Sequence, residues 1–150
     1  MRDIKFRAFC KSFKKPKLLP VTAMRYLKGL LVSIQVDIGS FIPRNVKPQD
    51  TILMQYTGLK DKNGKEIYMD DVVKFRFYDK DYRDSYWGGT AVVTYNMSEG
   101  VGLLFDFSDT IQSNAYAVLE GGQLESYWPD EELWEMQVIG NIYENPELLK

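Results

Sequence analysis

Three features of the sequence predict a mainly β fold. Aromatic residues are plentiful, with ten Tyr, eight Phe and three Trp, and such residues favour strands. Short stretches alternate apolar and polar residues at period two. Turn-forming Gly, Asn and Asp separate these stretches at spacings of roughly ten residues, the pattern of a small barrel or sandwich. A chain of 150 residues is one domain or one domain plus a small companion. At that size roughly 70% of the unfolded surface can be buried, so no covalent or metal staple is required.

Residues 2–9 read as the first strand, with Ile4, Phe6 and Ala8 on one face and Lys5, Arg7 and Phe9 on the other. Residues 10–20 (CKSFKKPKLLP) read as a basic loop, since Pro16 and Pro20 disfavour a regular element. Val21–Leu27 is either a strand turning at Lys28-Gly29 or two turns of helix; the hairpin is preferred. Val32, Ile34, Val36 and Ile38 alternate with Ser33, Gln35 and Asp37 as a strand should. Residues 39–50 (GSFIPRNVKPQD) read as a linker, with Gly39, Pro43, Asn45 and Pro48 all unfavourable to regular structure.

Residues 52–78 hold the densest signals. Leu53, Gln55 and Thr57 alternate with Met54, Tyr56 and Gly58. Asn63-Gly64 is the strongest turn signal in the chain, because both residues tolerate positive φ. Asp70-Asp71 leads into VVKFRFY, where Val73, Phe75 and Phe77 share one face. Beyond it, residues 79–89 read as a polar loop with aromatic insertions. Strands follow at 90–97, 103–107, 115–119, 124–127 and 135–143, the last bent at Gly140. Pro129–Glu132 and the tail from Glu144 each suit a short helical turn.

The net charge of -2 conceals an asymmetry. Residues 1–50 hold 11 Lys or Arg against three Asp, a net of +8; residues 51–150 hold 8 against 18 acidic residues, a net of -10. The sequence therefore divides into a basic N-terminal β-rich part over 1–50, with its linker at 39–50, and an acidic part over 51–150. Two oppositely charged parts either attract each other, within or between chains, or the basic part meets phosphate or an acidic partner.

Much chemistry is missing. The chain has no His, which removes the commonest general base and metal ligand. Cys10 is the lone cysteine, so no intrachain disulfide forms and a reducing cytoplasm is compatible. Lys11 beside it should lower its pKa slightly, yet no imidazole partner exists and the thiol reads as structural. Asp79, Asp81 and Asp84 fail the spacing of a Ca²⁺ loop. Glu120, Glu125, Glu131 and Glu132 read as charged turns rather than an acid–base pair. Gly88-Gly89 and Gly121-Gly122 lack the Lys and Ser or Thr of a phosphate loop and read as turn glycines. No cofactor is implied. No apolar run approaches the roughly 18 residues of a membrane span.

Segments 53–68 (LMQYTGLKDKNGKEIY) and 71–75 (DVVKF) resemble the signature of the YopX protein family, found largely in phages and prophages. IKFRAF at 4–9 resembles that family's opening strand, and VIGNIYENPELL at 138–149 its closing strand and tail. The resemblance implies a mostly β protein whose C-terminal part is an SH3-like barrel. It implies no activity and no catalytic residue. One departure is local: the family commonly has Gly where this chain has Asp70. If that position requires positive φ, Asp adopts it at a modest strain cost.

Three functional readings follow. The first is a non-enzymatic, self-associating interaction module, its contact surface formed by Tyr78, Tyr82, Arg83, Tyr86 and Trp87, a hot-spot composition. The second is a nucleic-acid-binding β protein using Arg2, Lys5, Arg7, Lys11, Lys14, Lys15 and Lys17, with Phe9 or Phe13 stacking on bases. The third is a Mg²⁺-dependent hydrolase built from carboxylates. The expected partners are a second copy, a nucleic acid or an acidic protein, in the cytoplasm of a bacterial host.

Overall fold

A computed structural model describes residues 4–79, 85–96, 100–105, 116–120, 123–125 and 135–149. Among the described residues, twelve strands and two short 3-10 turns make up the regular structure, and the sheets are antiparallel. The chain packs as two units, Met1–Tyr56 and Thr57–Lys150.

The first unit is built on β1 (Phe6–Cys10), β2 (Lys17–Leu27), β3 (Leu30–Val36), β4 (Arg44–Val46) and the first part of β5 (Thr51–Lys60), in the order β4-β3-β2-β1-β5. Its core is Ala8, Cys10, Ile34, Val36 and Val46, with Phe13, Leu19, Val21, Met24, Leu31, Ile38 and Leu53 packed around it. Val21–Leu27 is strand, joined to β3 by the two-residue turn Lys28-Gly29. Both turn residues have positive φ (50° and 80°), as a type I′ hairpin demands.

Two expectations differ here. β2 begins at Lys17 and passes through Pro20, which the proline argument placed in a loop. Pro20 lies just past the end of β3, where its carbonyl accepts from the Asp37 N–H at 3.0 Å. Its missing N–H points to that same side, past the end of β3, so the ladder with β1 loses no bond. The expected linker contributes β4, whose Val46 is buried in the core opposite Ile34. Three residues are too few for alternation to register in the sequence.

The second unit contains the end of β5, β6 (Glu66–Tyr68), β7 (Asp71–Asp79), β8 (Ser85–Asn96), β9 (Gly100–Phe105), β10 (Tyr116–Glu120), β11 (Gln123–Glu125) and β12 (Glu135–Asn141). β7–β12 form one sheet in the order β11-β10-β9-β8-β7-β12. Among the described residues that order does not close on itself, so no closed barrel is present. Ile67, Val72, Val73, Phe75, Ala91, Val93 and Val138 are buried. β8 starts at Ser85, inside the expected polar loop. Gly88 and Gly89 are therefore mid-strand residues facing Arg76 and Phe75, not turn glycines. A Cβ on Gly88 would collide with the Phe75 carbonyl oxygen, which is why this position has none. Pro146–Leu149 forms the expected terminal turn, as a 3-10 helix; Pro129–Glu132 lies outside the described residues.

Candidate functional site

The basic segment forms a real cluster, but its aromatic residues are occupied. Lys11, Lys14 and Lys15 stand exposed on the loop from β1 to β2. Phe13, in the same loop, packs on the core. Lys17 from β2 and Arg44 from β4 cover its ring at 4.9 and 4.6 Å from the centroid. Each such cation contact contributes about 0.5–1 kcal/mol at exposed sites. Phe9 is buried in β1 between β2 and β5. Neither ring is left as a stacking platform. Lys5 places its ammonium 5.3 Å from the Tyr56 ring centroid, and Arg7 is half-buried opposite Pro20 and Met54. Arg2 lies outside the described residues. Burial pushes the Cys10 thiol up, outweighing the lowering by Lys17, so the small lowering expected from Lys11 does not prevail. The thiol donates to the Ala8 carbonyl at 3.6 Å.

Of the aromatic group, Tyr78, Tyr86 and Trp87 fall on paired backbone, with Tyr78 opposite Tyr86 and Phe77 opposite Trp87. They thus belong to a β7–β8 ladder. Tyr82 and Arg83 lie outside the described residues.

The acidic residues of 52–78 are hydrogen-bond hubs. Asp61 is buried. Its Oδ1 accepts from the N–H groups of Asn63 (2.8 Å) and Lys65 (2.9 Å), and its Oδ2 from Val138 (3.0 Å). Burial alone would raise this carboxyl. The three N–H donors, Val138 foremost, and the charge of Lys65 together hold it below the ordinary carboxylate range. The turn closes with Gly64 N–H on the Asp61 carbonyl, and only Gly64, not Asn63, takes positive φ (80°). Asp70 has φ 65°, the left-handed conformation that favours Gly. Its Oδ2 accepts the Tyr143 hydroxyl at 2.7 Å. Burial, then that bond and the Asp70 charge, push the Tyr143 phenol up to about 12. Asp71 is fully buried and accepts the Tyr68 N–H at 2.9 Å. Asn141, also buried, accepts from the Tyr143 and Glu144 N–H groups. Among the described residues, no three His, Cys, Asp or Glu side chains are grouped to hold a metal.

Over residues 5–150 the chain matches the family model described as YopX protein. It belongs to that family. No curated protein matches it. The crystal structure of protein EF1440 from Enterococcus faecalis is similar at 25% identity and a TM-score of 0.57, covering 100% of both chains. Asp61, Asn63, Gly64 and Asp71, which lie in the segments that resemble the YopX signature, and Asp70, where this chain departs from it, thus hold turns and strands of the second unit together.

Sequence reasoning missed a different surface of this YopX-family chain. Tyr26, Leu27, Leu30 and Val32 stand exposed around the β2–β3 turn, and Phe41 and Ile42 in the loop before β4. Leu30 is 71% exposed and Val32 41%. Alternation put Val32 with Ile34 and Val36 as core, yet the β2–β3 register slips by one residue at Val32, between Ser33 opposite Arg25 and Leu31 opposite Tyr26, so that Leu31 packs on the core and Val32 is exposed. The signal available was the apolar tip itself: Tyr26-Leu27 and Leu30-Leu31-Val32 flank a two-residue turn, where polar residues are usual. Among the described residues, no helix is long and apolar enough to cross a membrane.

Proposed function

We propose that this chain is a non-enzymatic, self-associating interaction module acting through its first unit. The supporting observation is the apolar hairpin tip, with Tyr26, Leu27, Leu30 and Val32 in solvent. Exposed apolar side chains concentrated on one element mark an interaction site more than isolated ones do. The charge asymmetry of the sequence supports association between copies. On this reading the second unit, which the family resemblance expects as an SH3-like barrel, is the scaffold. The phage or prophage setting and the cytoplasmic location belong to the same proposal and rest on the family resemblance and on the lone Cys10.

Light scattering after size exclusion tests it. The expected outcome is a mass that rises with concentration in the micromolar range; a monomer throughout overturns the proposal. An anionic partner is the second reading, favoured by the convergence of Lys17 and Arg44 on Phe13 beside Lys11, Lys14 and Lys15. Fluorescence anisotropy with short DNA and RNA at low salt tests that one. Binding lost on Lys14→Ala plus Lys15→Ala supports it, and no binding removes it.

A further inference from the structure

We infer that two copies of this chain join by pairing their β3 strands edge to edge, antiparallel, about a two-fold axis at Leu31. This inference rests on the self-association proposed above and specifies its geometry. β4 pairs only with Ile34–Val36 of β3. Leu30, Leu31 and Ser33 pair with β2 on one side, Val32 being the extra residue where that register slips, and among the described residues no strand lies on the other. The slot has defined ends. At one end Ser33 Oγ donates to Asn45 Oδ1 of β4 at 3.3 Å. At the other the Lys28-Gly29 turn begins.

The direction of the backbone groups follows from the turn. In a two-residue hairpin the flanking pair, Leu27 and Leu30, exchanges both hydrogen bonds. The next pair, Tyr26 and Leu31, is then a non-bonded pair, so the Leu31 N–H and C=O point away from β2. An open edge with outward donors and acceptors is a template for another strand.

The occupant is a second copy for two reasons. Residues 29–36 (GLLVSIQV) carry no charge, so the edge offers nothing to an acidic or basic partner and repels nothing in its own copy. The slot also fits itself. With the axis at Leu31, the two Leu31 residues exchange N–H···O=C bonds, Leu30 of each copy faces Val32 of the other, and each strand ends before the other's β4. Leu30 and Val32 are both exposed within one copy, and this pairing covers them.

Charge substitution tests both pairing and register, with circular dichroism confirming the fold of each variant. Val32→Lys brings a charge to an apolar edge and should weaken the dimer at least about tenfold in light scattering. Leu30→Glu combined with Val32→Lys sets opposite charges face to face twice and should restore association. If Val32→Lys fails to fold, Leu30→Lys probes the same pair from its more exposed side. The strand pairing is overturned if the double variant stays dissociated. It is equally overturned if Val32→Lys leaves the dimer intact while Phe41→Ser with Ile42→Ser dissolves it, an outcome that keeps the self-association reading. A wild-type chain that is monomeric at every concentration removes both.

Discussion

The outer edges of β12 and β3 meet opposite fates. β12 is the last strand of the second unit's sheet, and a polar turn lies along it. Lys62 N–H bonds the Met136 carbonyl at 2.9 Å, and the Asp61 carboxylate takes the Val138 N–H at 3.0 Å. β3 is covered by β4 for three residues and then left open at Leu30–Ser33. One edge is closed by a carboxylate that is itself held by its own turn. The other presents apolar side chains and no charge. A sheet edge closed by dedicated hydrogen bonds belongs to the fold, whereas one left open and apolar is available to a partner.

The largest effect that sharpens this contrast comes from Asp61. Asp61→Ala strands the N–H groups of Asn63, Lys65 and Val138, of which the Val138 bond is buried. The expected loss is about 3–5 kcal/mol, since a charged acceptor and several donors go together. Urea denaturation followed by circular dichroism reads it; a loss under about 1 kcal/mol would mean the edge is closed by something else. Acid probes the same group without mutation. The Asp61 carboxyl is lowered in the fold, so its contribution is complete above the ordinary carboxylate range and fades as pH falls through that range. Asp61→Asn should flatten the decline of stability below about pH 4.

A smaller effect attends the neighbouring strand entry. Tyr143→Phe removes one hydrogen bond to the Asp70 carboxylate and should cost about 1–2 kcal/mol. The phenol is raised to about 12 in the fold against roughly 10 unfolded. The unfolded chain therefore loses this proton first, and wild-type stability should fall as pH rises from 10 to about 12. Tyr143→Phe should lack this part of the fall. Denaturation midpoints measured across that range for both chains provide the check.

The two edges were not equally legible in the sequence. Asn63-Gly64 gave the turn, and the Gly-to-Asp departure at Asp70 gave a left-handed residue that the structure bears out at φ 65°. Both signals are local, carried by residues whose backbone preferences are distinctive. The bond from Asp61 to Val138 crosses 77 positions, and no spacing rule reaches that far. β4 was unreadable because three residues beside Pro43 and Pro48 look like loop until β3 pairs with them. The open edge was hidden for the same reason: its openness depends on where β4 stops. The β7–β8 ladder that carries Tyr78, Tyr86 and Trp87 was hidden because Gly88 and Gly89 interrupt the alternation and look like a turn.

The smallest expected effect lies at the open edge. Leu27→Ser and Leu30→Ser replace side chains that already stand mostly in solvent, 59% and 71% exposed. Burial free energy scales with the area removed from water, at about 25 cal/mol per Å², and within one copy these side chains remove little. Each change should therefore shift unfolding free energy by under about 0.5 kcal/mol at dilute concentration, as surface substitutions do. At concentrations where copies associate, Leu30→Ser should destabilise further, because association adds to apparent stability by mass action. A concentration-independent loss of 2 kcal/mol or more, the size of a core truncation, would make Leu30 a core residue and erase the difference between the two edges. Thermal denaturation of wild type and both variants across a hundredfold range of protein concentration distinguishes the outcomes.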